Sequence, residues 1–125
     1  MKPFGFPPAR RVRKRSDFLR IQGSRDRVTA PHFVFLLSAA SAGGPRLGIV
    51  VTKRLGNAVL RNRVKRLCRE CFRLFPNFLP GHVDCVVIAR DGAGTLALAD
   101  VQREWTSVRN SIEKRARHLA PGTLA

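Results

Sequence analysis

Apolar and polar residues alternate along the chain in blocks whose period changes from one block to the next. Phe18, Leu19 and Ile21 share a helical spacing, with Ser16 as N-cap and Gly23 as stop, which predicts a short helix over 17–22 with Arg20 toward solvent. Residues 27–30 read as a short strand that Pro31 breaks or confines to an edge. Residues 32–40 are rich in Phe, Val and Leu; extended, they put Phe33 and Phe35 on one face and His32, Val34 and Leu36 on the other. SAGGP at 41–45 predicts a turn. LGIVVT at 47–52 predicts a central strand, because a continuous β-branched run needs both faces covered.

The next block has helical period. Asn57 can cap it and Pro76 ends it, so a helix is expected over 58–75. At about 100° per residue, Leu60, Val64, Leu67, Cys68, Cys71, Phe72 and Phe75 fall on one arc. Asn62, Arg63, Lys65, Arg66, Arg69, Glu70 and Arg73 fill the remainder, with Arg61 on the boundary. VDCVVIA at 83–89 predicts a buried strand, 90–98 a Gly-containing loop, and 100–118 a helix whose stripe is Val101, Trp105, Val108 and Ile112. The order α-β-β-β-α-β-α predicts an α+β fold, a two-layer α/β sandwich around a mixed four-stranded sheet. One domain over 1–125 is expected, with a basic flexible arm at 1–15 and a frayed tail at 119–125.

Composition supports a folded domain: 125 residues with 44% apolar content can bury a core. No window approaches the roughly 18 apolar residues of a membrane span. The N-terminus lacks an apolar run of signal-peptide length, which points to a cytoplasmic protein with its three cysteines as thiols.

Charge changes the picture most. Lys and Arg number 24 against 8 Asp and Glu, a net +16. Residues 1–75 hold 18 basic and 3 acidic residues, a net +15, whereas 76–125 hold 6 and 5. Such a surface repels itself unless a polyanion neutralises it. Arg outnumbers Lys 19 to 5, which suits bidentate phosphate contacts. Nucleic acid is the first partner class and an anionic membrane surface the second. The outer arc of the 58–75 helix holds one acid, Glu70, where an ordinary solvated helix mixes both signs. Lys53 and Arg54 stand at its entrance, near the positive end of the helix dipole.

Other chemistry finds little support. Cys68-Arg69-Glu70-Cys71 is a CxxC, yet both thiols lie mid-helix on the apolar stripe, where core packing explains them better than zinc or redox. His32, His82 and His118 stand apart, and the acids are scattered rather than grouped for a two-metal nuclease. No catalytic and no metal-ligating residue is expected on this chain.

The stretch KRLGNAVLRNRVKRLCRECFRLF at 53–75 strongly resembles the signature helix of the protein subunit of bacterial ribonuclease P, its core being Arg61-Asn62-Arg63, Lys65-Arg66 and Arg69-Glu70. RVRKRSDFLRI at 11–21, the strand at 47–52 and the strand at 83–89 match that family in the same order, so the resemblance covers about 10–118. It implies a ribosomal-protein-like fold with a left-handed β-α-β crossover, opposite to the usual rule. It also implies a partnership with a catalytic RNA and precursor tRNA, one protein per RNA, removing the 5′ leader by Mg²⁺-dependent hydrolysis with the metal held on RNA and substrate. Carried over residue by residue, Lys53, Arg54, Arg61, Asn62, Arg63, Lys65, Arg66 and Arg69 match the RNA-binding helix and its entrance. Arg11, Lys14, Phe18 and Phe33 match the substrate-leader cleft, although Phe18 and Phe33 each also suit a core position. Gln22 and Leu36 stand where some members carry further aromatics. A structural RNA-binding protein of ribosomal type is the alternative; a nuclease acting alone is the third class.

Overall fold

Two strands of seven residues form the centre of the sheet. In the computed structural model, which describes residues 10–40 and 45–119, β2 (Phe33–Ala39) pairs antiparallel with β4 (Val83–Ala89). The short β1 (Asp26–Thr29) flanks β2, and β3 (Leu47–Val50) flanks β4 in parallel, giving the order β1-β2-β4-β3. Three α-helices complete the fold: α1 (Arg15–Gln22), α2 (Ala58–Arg73) between β3 and β4, and α3 (Leu98–Ala116). This is the expected α+β order with a mixed four-stranded sheet. The arm as far as residue 9, the turn residues 41–44 and the tail beyond Leu119 lie outside the described residues.

Strand period sorts the side chains into two layers. With Phe35 opposite Val87 and Leu36 opposite Val86, alternate residues face opposite sides. Phe33, Phe35, Leu37, Leu47, Cys85 and Val87 join Val64, Cys68, Cys71, Phe72, Trp105 and Ile112 in the larger core under α2 and α3. Trp105 is its hub, with ring centroids 5.3 Å from Phe35 and 4.8 Å from Phe78. On the other face, Leu36 and Val86 pack with Val12 and Ile21 beneath α1. That second layer is thin, and α1 is the only described helix packed on it.

Several expectations change. The 47–52 run is an edge strand rather than a central one, ending at Val50 because a 3₁₀ turn (Lys53–Leu55) follows. Its apolar pattern still has a cause: Leu47 and Ile49 pack into the larger core, while Gly48 and Val50 face the α1 side. The incoming chain partly covers the edge, Val12 donating to the Leu47 carbonyl at 3.0 Å. Ser16 does not cap α1. The helix begins two residues earlier, at Arg15, and the Lys14 carbonyl accepts from the amides of Asp17 and Phe18, both at 3.1 Å.

Helix α2 stops at Arg73, two residues before the expected end, and Asn77 takes the left-handed conformation with φ 64° in the turn beyond. Its N-cap is the expected one, Asn57 Oδ1 accepting from the Leu60 amide at 2.9 Å. Leu60 is wedged between two glycines: a Cβ on Gly56 or Gly94 would approach its Cδ2 to 2.6 and 2.7 Å. Helix α3 starts at Leu98, two residues early, because the Asp100 carboxylate reaches back to the Ala97 amide at 2.9 Å.

Candidate nucleic-acid interface

The outer face of α2 carries the charge. Asn62, Arg66 and Arg69 are exposed along it, and Val59 is exposed at its head. Lys65 and Arg61 are half-buried. Lys53 and Arg54 are exposed in the preceding 3₁₀ turn, where Arg54 pairs with Asp91 at 3.2 Å. Among the described residues no carboxylate lies within ion-pair reach of Lys53, Arg61, Lys65, Arg66 or Arg69.

Two arginines of this helix behave differently. Arg63 points to the opposite flank, where its guanidinium donates to the Gly94 and Leu96 carbonyls at 2.9 and 2.7 Å. It ties α2 to the loop before α3 and is engaged by protein, so of the residues matched to the RNA-binding helix it is a strut. Arg73 pairs with Glu70, whose hydrogen bond holds the guanidinium pKa above its ordinary value.

Beside the helix lies a depression of ≈110 Å³ lined by Arg11, Phe18, Gly48, Lys65 and Arg69. It brings two groups separated in sequence to one place: Arg11 and Phe18 from the arm and α1, Lys65 and Arg69 from α2. Phe18 is half-buried, its ring resting on the backbone of β3 at Gly48. Nearby, Arg10 stacks over the Phe72 ring, 4.8 Å from its centroid, which draws the arm toward α2. Lys14 is exposed at the head of α1.

Phe33 is not in this cleft. It is fully buried on the opposite face of the sheet, 6.1 Å from the Trp105 ring. The strand's period of two sends its neighbour Val34 to the α1 side instead. There Val34, Ile88 and Val50 align across β2, β4 and β3, all half-buried. The row continues the floor beyond Phe18, and alternation in FVFLL was the signal for it.

A second missed feature anchors α1. Asp84, within the apolar run VDCVVIA, is fully buried. Arg46 donates to it at 2.8 Å and Arg20 at 3.2 Å, and Arg46 also reaches Asp17 at 3.3 Å. Arg20 further donates to the Ala39 carbonyl at 2.9 Å, so it bonds to the sheet while remaining exposed as expected. A carboxylate in a buried strand demands such cations, and hydrogen bonding to Asp84 lifts the Arg46 pKa.

Burial raises the thiol pKa of Cys68 and Cys85 steeply and pushes Cys71 up to about 12, which leaves no thiolate at neutral pH. All eight carboxylates bond to an Arg or His. Among the described residues no group of three or more His, Cys, Asp or Glu could hold a metal ion. No described helix is long and apolar enough to cross a membrane.

Comparison with known proteins agrees with this geometry. The family model for ribonuclease P matches residues 6–113. The ribonuclease P protein component of Geotalea uraniireducens is 37% identical over 115 residues, covering 91% of this chain and 100% of that protein. That of Syntrophus aciditrophicus is 41% identical over 104 residues, covering 83% and 87%. Among solved structures, the Staphylococcus aureus RNase P protein superposes with a TM-score of 0.69 at 33% identity, covering 89% of this chain and 98% of that one. The Thermotoga maritima protein gives 0.71 at 32%, covering 82% and 96%. A cationic helix beside an aromatic-walled cleft, on a chain of this sequence and topology, belongs to the ribonuclease P protein family.

Proposed function

We propose that this chain, as a single RNA-binding domain, docks its α2 face on the catalytic RNA of ribonuclease P and receives the 5′ leader of precursor tRNA in the cleft between α1 and the sheet. The observation carrying this reading is the shared depression of Phe18, Arg11, Lys65 and Arg69. It joins a stacking ring to the helix that meets the RNA. A base stacks on such a ring whatever its identity, at about 1–3 kcal/mol, which suits leaders of varied sequence. Flanking cations hold the phosphates.

Division of labour follows from the side chains available. Cleavage is phosphodiester hydrolysis, and the Mg²⁺ it needs is held by RNA and substrate. This chain supplies charge neutralisation and leader positioning, which raise affinity for precursor over mature tRNA. Exposed Arg66, Arg69 and Asn62 meet the catalytic RNA; Lys53 and Arg54 extend the contact; Arg61 and Lys65 line its inner border toward the cleft; Arg63 sets the helix in place. Lys14 and Arg11 guide the leader past Phe18. One protein per RNA, in the cytoplasm, completes the reading.

Reconstitution tests it. RNA-free protein, catalytic RNA and precursor tRNA are combined at low and high Mg²⁺. Protein should promote leader removal most at low Mg²⁺ and show no cleavage alone. Cleavage surviving rigorous removal of RNA would move the chemistry onto this chain. Failure to stimulate, with ribosomal RNA recovered from cells instead, would favour a ribosomal role.

A further inference from the structure

We infer that a second cationic groove, along the free edge of β1, is a contact surface for RNA phosphates. It is lined by Arg27, Thr29, Ser111, Lys114, Arg115 and His118, with a volume of ≈550 Å³. Among the described residues strand β1 pairs only with β2, so its outer edge presents backbone donors beside these cations. The groove lies across the sheet from β3, three strand spacings or about 14 Å at about 4.8 Å each. It is therefore separate from the depression at Phe18 and Lys65, and it rests on the reading that the chain works bound to RNA.

The distribution of acids carries the inference. Elsewhere on α3 each cation near a carboxylate is matched: Arg103 with Asp100 at 3.2 Å and Arg109 with Glu113 at 2.9 Å. Asp26, at the groove's border, bonds His118 at 2.9 Å. Arg27, Lys114 and Arg115 have no acid partner among the described residues, although Glu113 is adjacent in sequence to Lys114. Helix-dipole complementation accounts for cations in the last turn of α3, but not for Arg27 on a different element. Two hydroxyls, Thr29 and Ser111, add donors of the kind that bind phosphate oxygens. Charge, hydroxyls and a free strand edge converge on one anionic, extended ligand, and a phosphodiester backbone fits it.

The triple variant Arg27→Gln/Lys114→Gln/Arg115→Gln tests this in the reconstituted holoenzyme. Salt titrations measure protein binding to catalytic RNA in one arm and holoenzyme binding to precursor tRNA in the other. An unstructured oligonucleotide is the reference for general loss of charge. Affinity should fall about tenfold in one arm, with the log–log salt slope reduced by roughly 2, since each phosphate contact adds roughly 0.7–0.9. The arm that responds identifies which RNA occupies the groove. Binding within twofold of the parent in both arms, or an equal loss on the oligonucleotide, overturns the inference. An Arg66→Gln/Arg69→Gln variant separates the two surfaces. Loss there with the triple variant intact removes the groove alone, whereas loss only from the triple variant supports the groove and removes the α2 ridge.

Discussion

The ring of Phe18 occupies the space a side chain at position 48 would need: a Cβ on Gly48 would lie 2.6 Å from Phe18 Cε1 and 2.9 Å from Cζ. The glycine lets α1 press its aromatic against the edge strand, beside Arg11 and Lys65. Gly48→Ala must displace that ring. It should weaken binding of leader-bearing tRNA severalfold while leaving mature tRNA and catalytic-RNA affinity unchanged. Phe18→Ala should do the same more strongly, by about 5- to 140-fold if the whole stack of about 1–3 kcal/mol is lost. Equal losses on precursor and mature tRNA, measured by filter binding, would return Phe18 to a purely structural role.

Asp84 and Arg46 form the joint holding α1 to the sheet. Removing one partner of a buried pair strands the other, at a cost of about 3–5 kcal/mol. Arg46→Met leaves Asp84 with Arg20 as its remaining cation, at 3.2 Å, so the loss of unfolding free energy in urea should fall at or below the low end of that range, about 3 kcal/mol at most. The double variant Arg46→Met/Asp84→Leu should regain part of that loss, because no buried charge is left unpaired. A double variant no more stable than Arg46→Met would mean the pair contributes through packing.

Arg63 and Arg66 stand three residues apart on α2 and should separate completely. Arg63→Gln loses two charge-assisted bonds to the carbonyls of Gly94 and Leu96. Stability should drop by about 2 kcal/mol, with little change in the salt slope for catalytic RNA. Arg66→Gln should leave thermal stability within about 0.5 kcal/mol and reduce the slope by roughly 0.7–0.9. A slope change from Arg63→Gln as large as from Arg66→Gln would put both in contact with phosphate.

The pair also shows what was legible beforehand. Period alone separated core from cationic face on α2, because a helix packing one side on a sheet must repeat its apolar residues about every 3.6. It could not say which cation would find carbonyls, since Gly94 and Leu96 lie about thirty residues further along the chain. Phe33 failed similarly: an aromatic in a two-faced apolar strand suits either layer until its partners are known. Strand order decided β3, where apolar residues on both faces do not imply a neighbour on both edges. Asp84 was visible as a polar residue in a buried strand, and its partners Arg20 and Arg46 were not.

Asp100 gives a pH dependence. Its carboxylate accepts from the Ala97 amide at the start of α3, and this bond, helped by Arg103, holds its pKa below the ordinary value. A group lowered in the folded state stabilises at pH values above its unfolded pKa, near 3.9, and loses that stabilisation as pH falls through the lower folded value. Asp100→Asn should have a lower Tm than the parent at pH 7, and the gap should close as pH falls below the ordinary Asp value. A gap independent of pH would assign the cap to hydrogen bonding without charge.

The most direct test of the α2 face uses a tethered RNA-cleaving probe. Val59 is 78% exposed at the head of that face, and Val59→Cys offers a reactive thiol where Cys68, Cys71 and Cys85 are buried. A hydroxyl-radical reagent attached there should cut the catalytic RNA at one discrete site in the assembled enzyme, and the cuts should vanish at high salt. Diffuse or absent cleavage, while the same complex still processes precursor tRNA, would mean that α2 faces water and the RNA docks elsewhere.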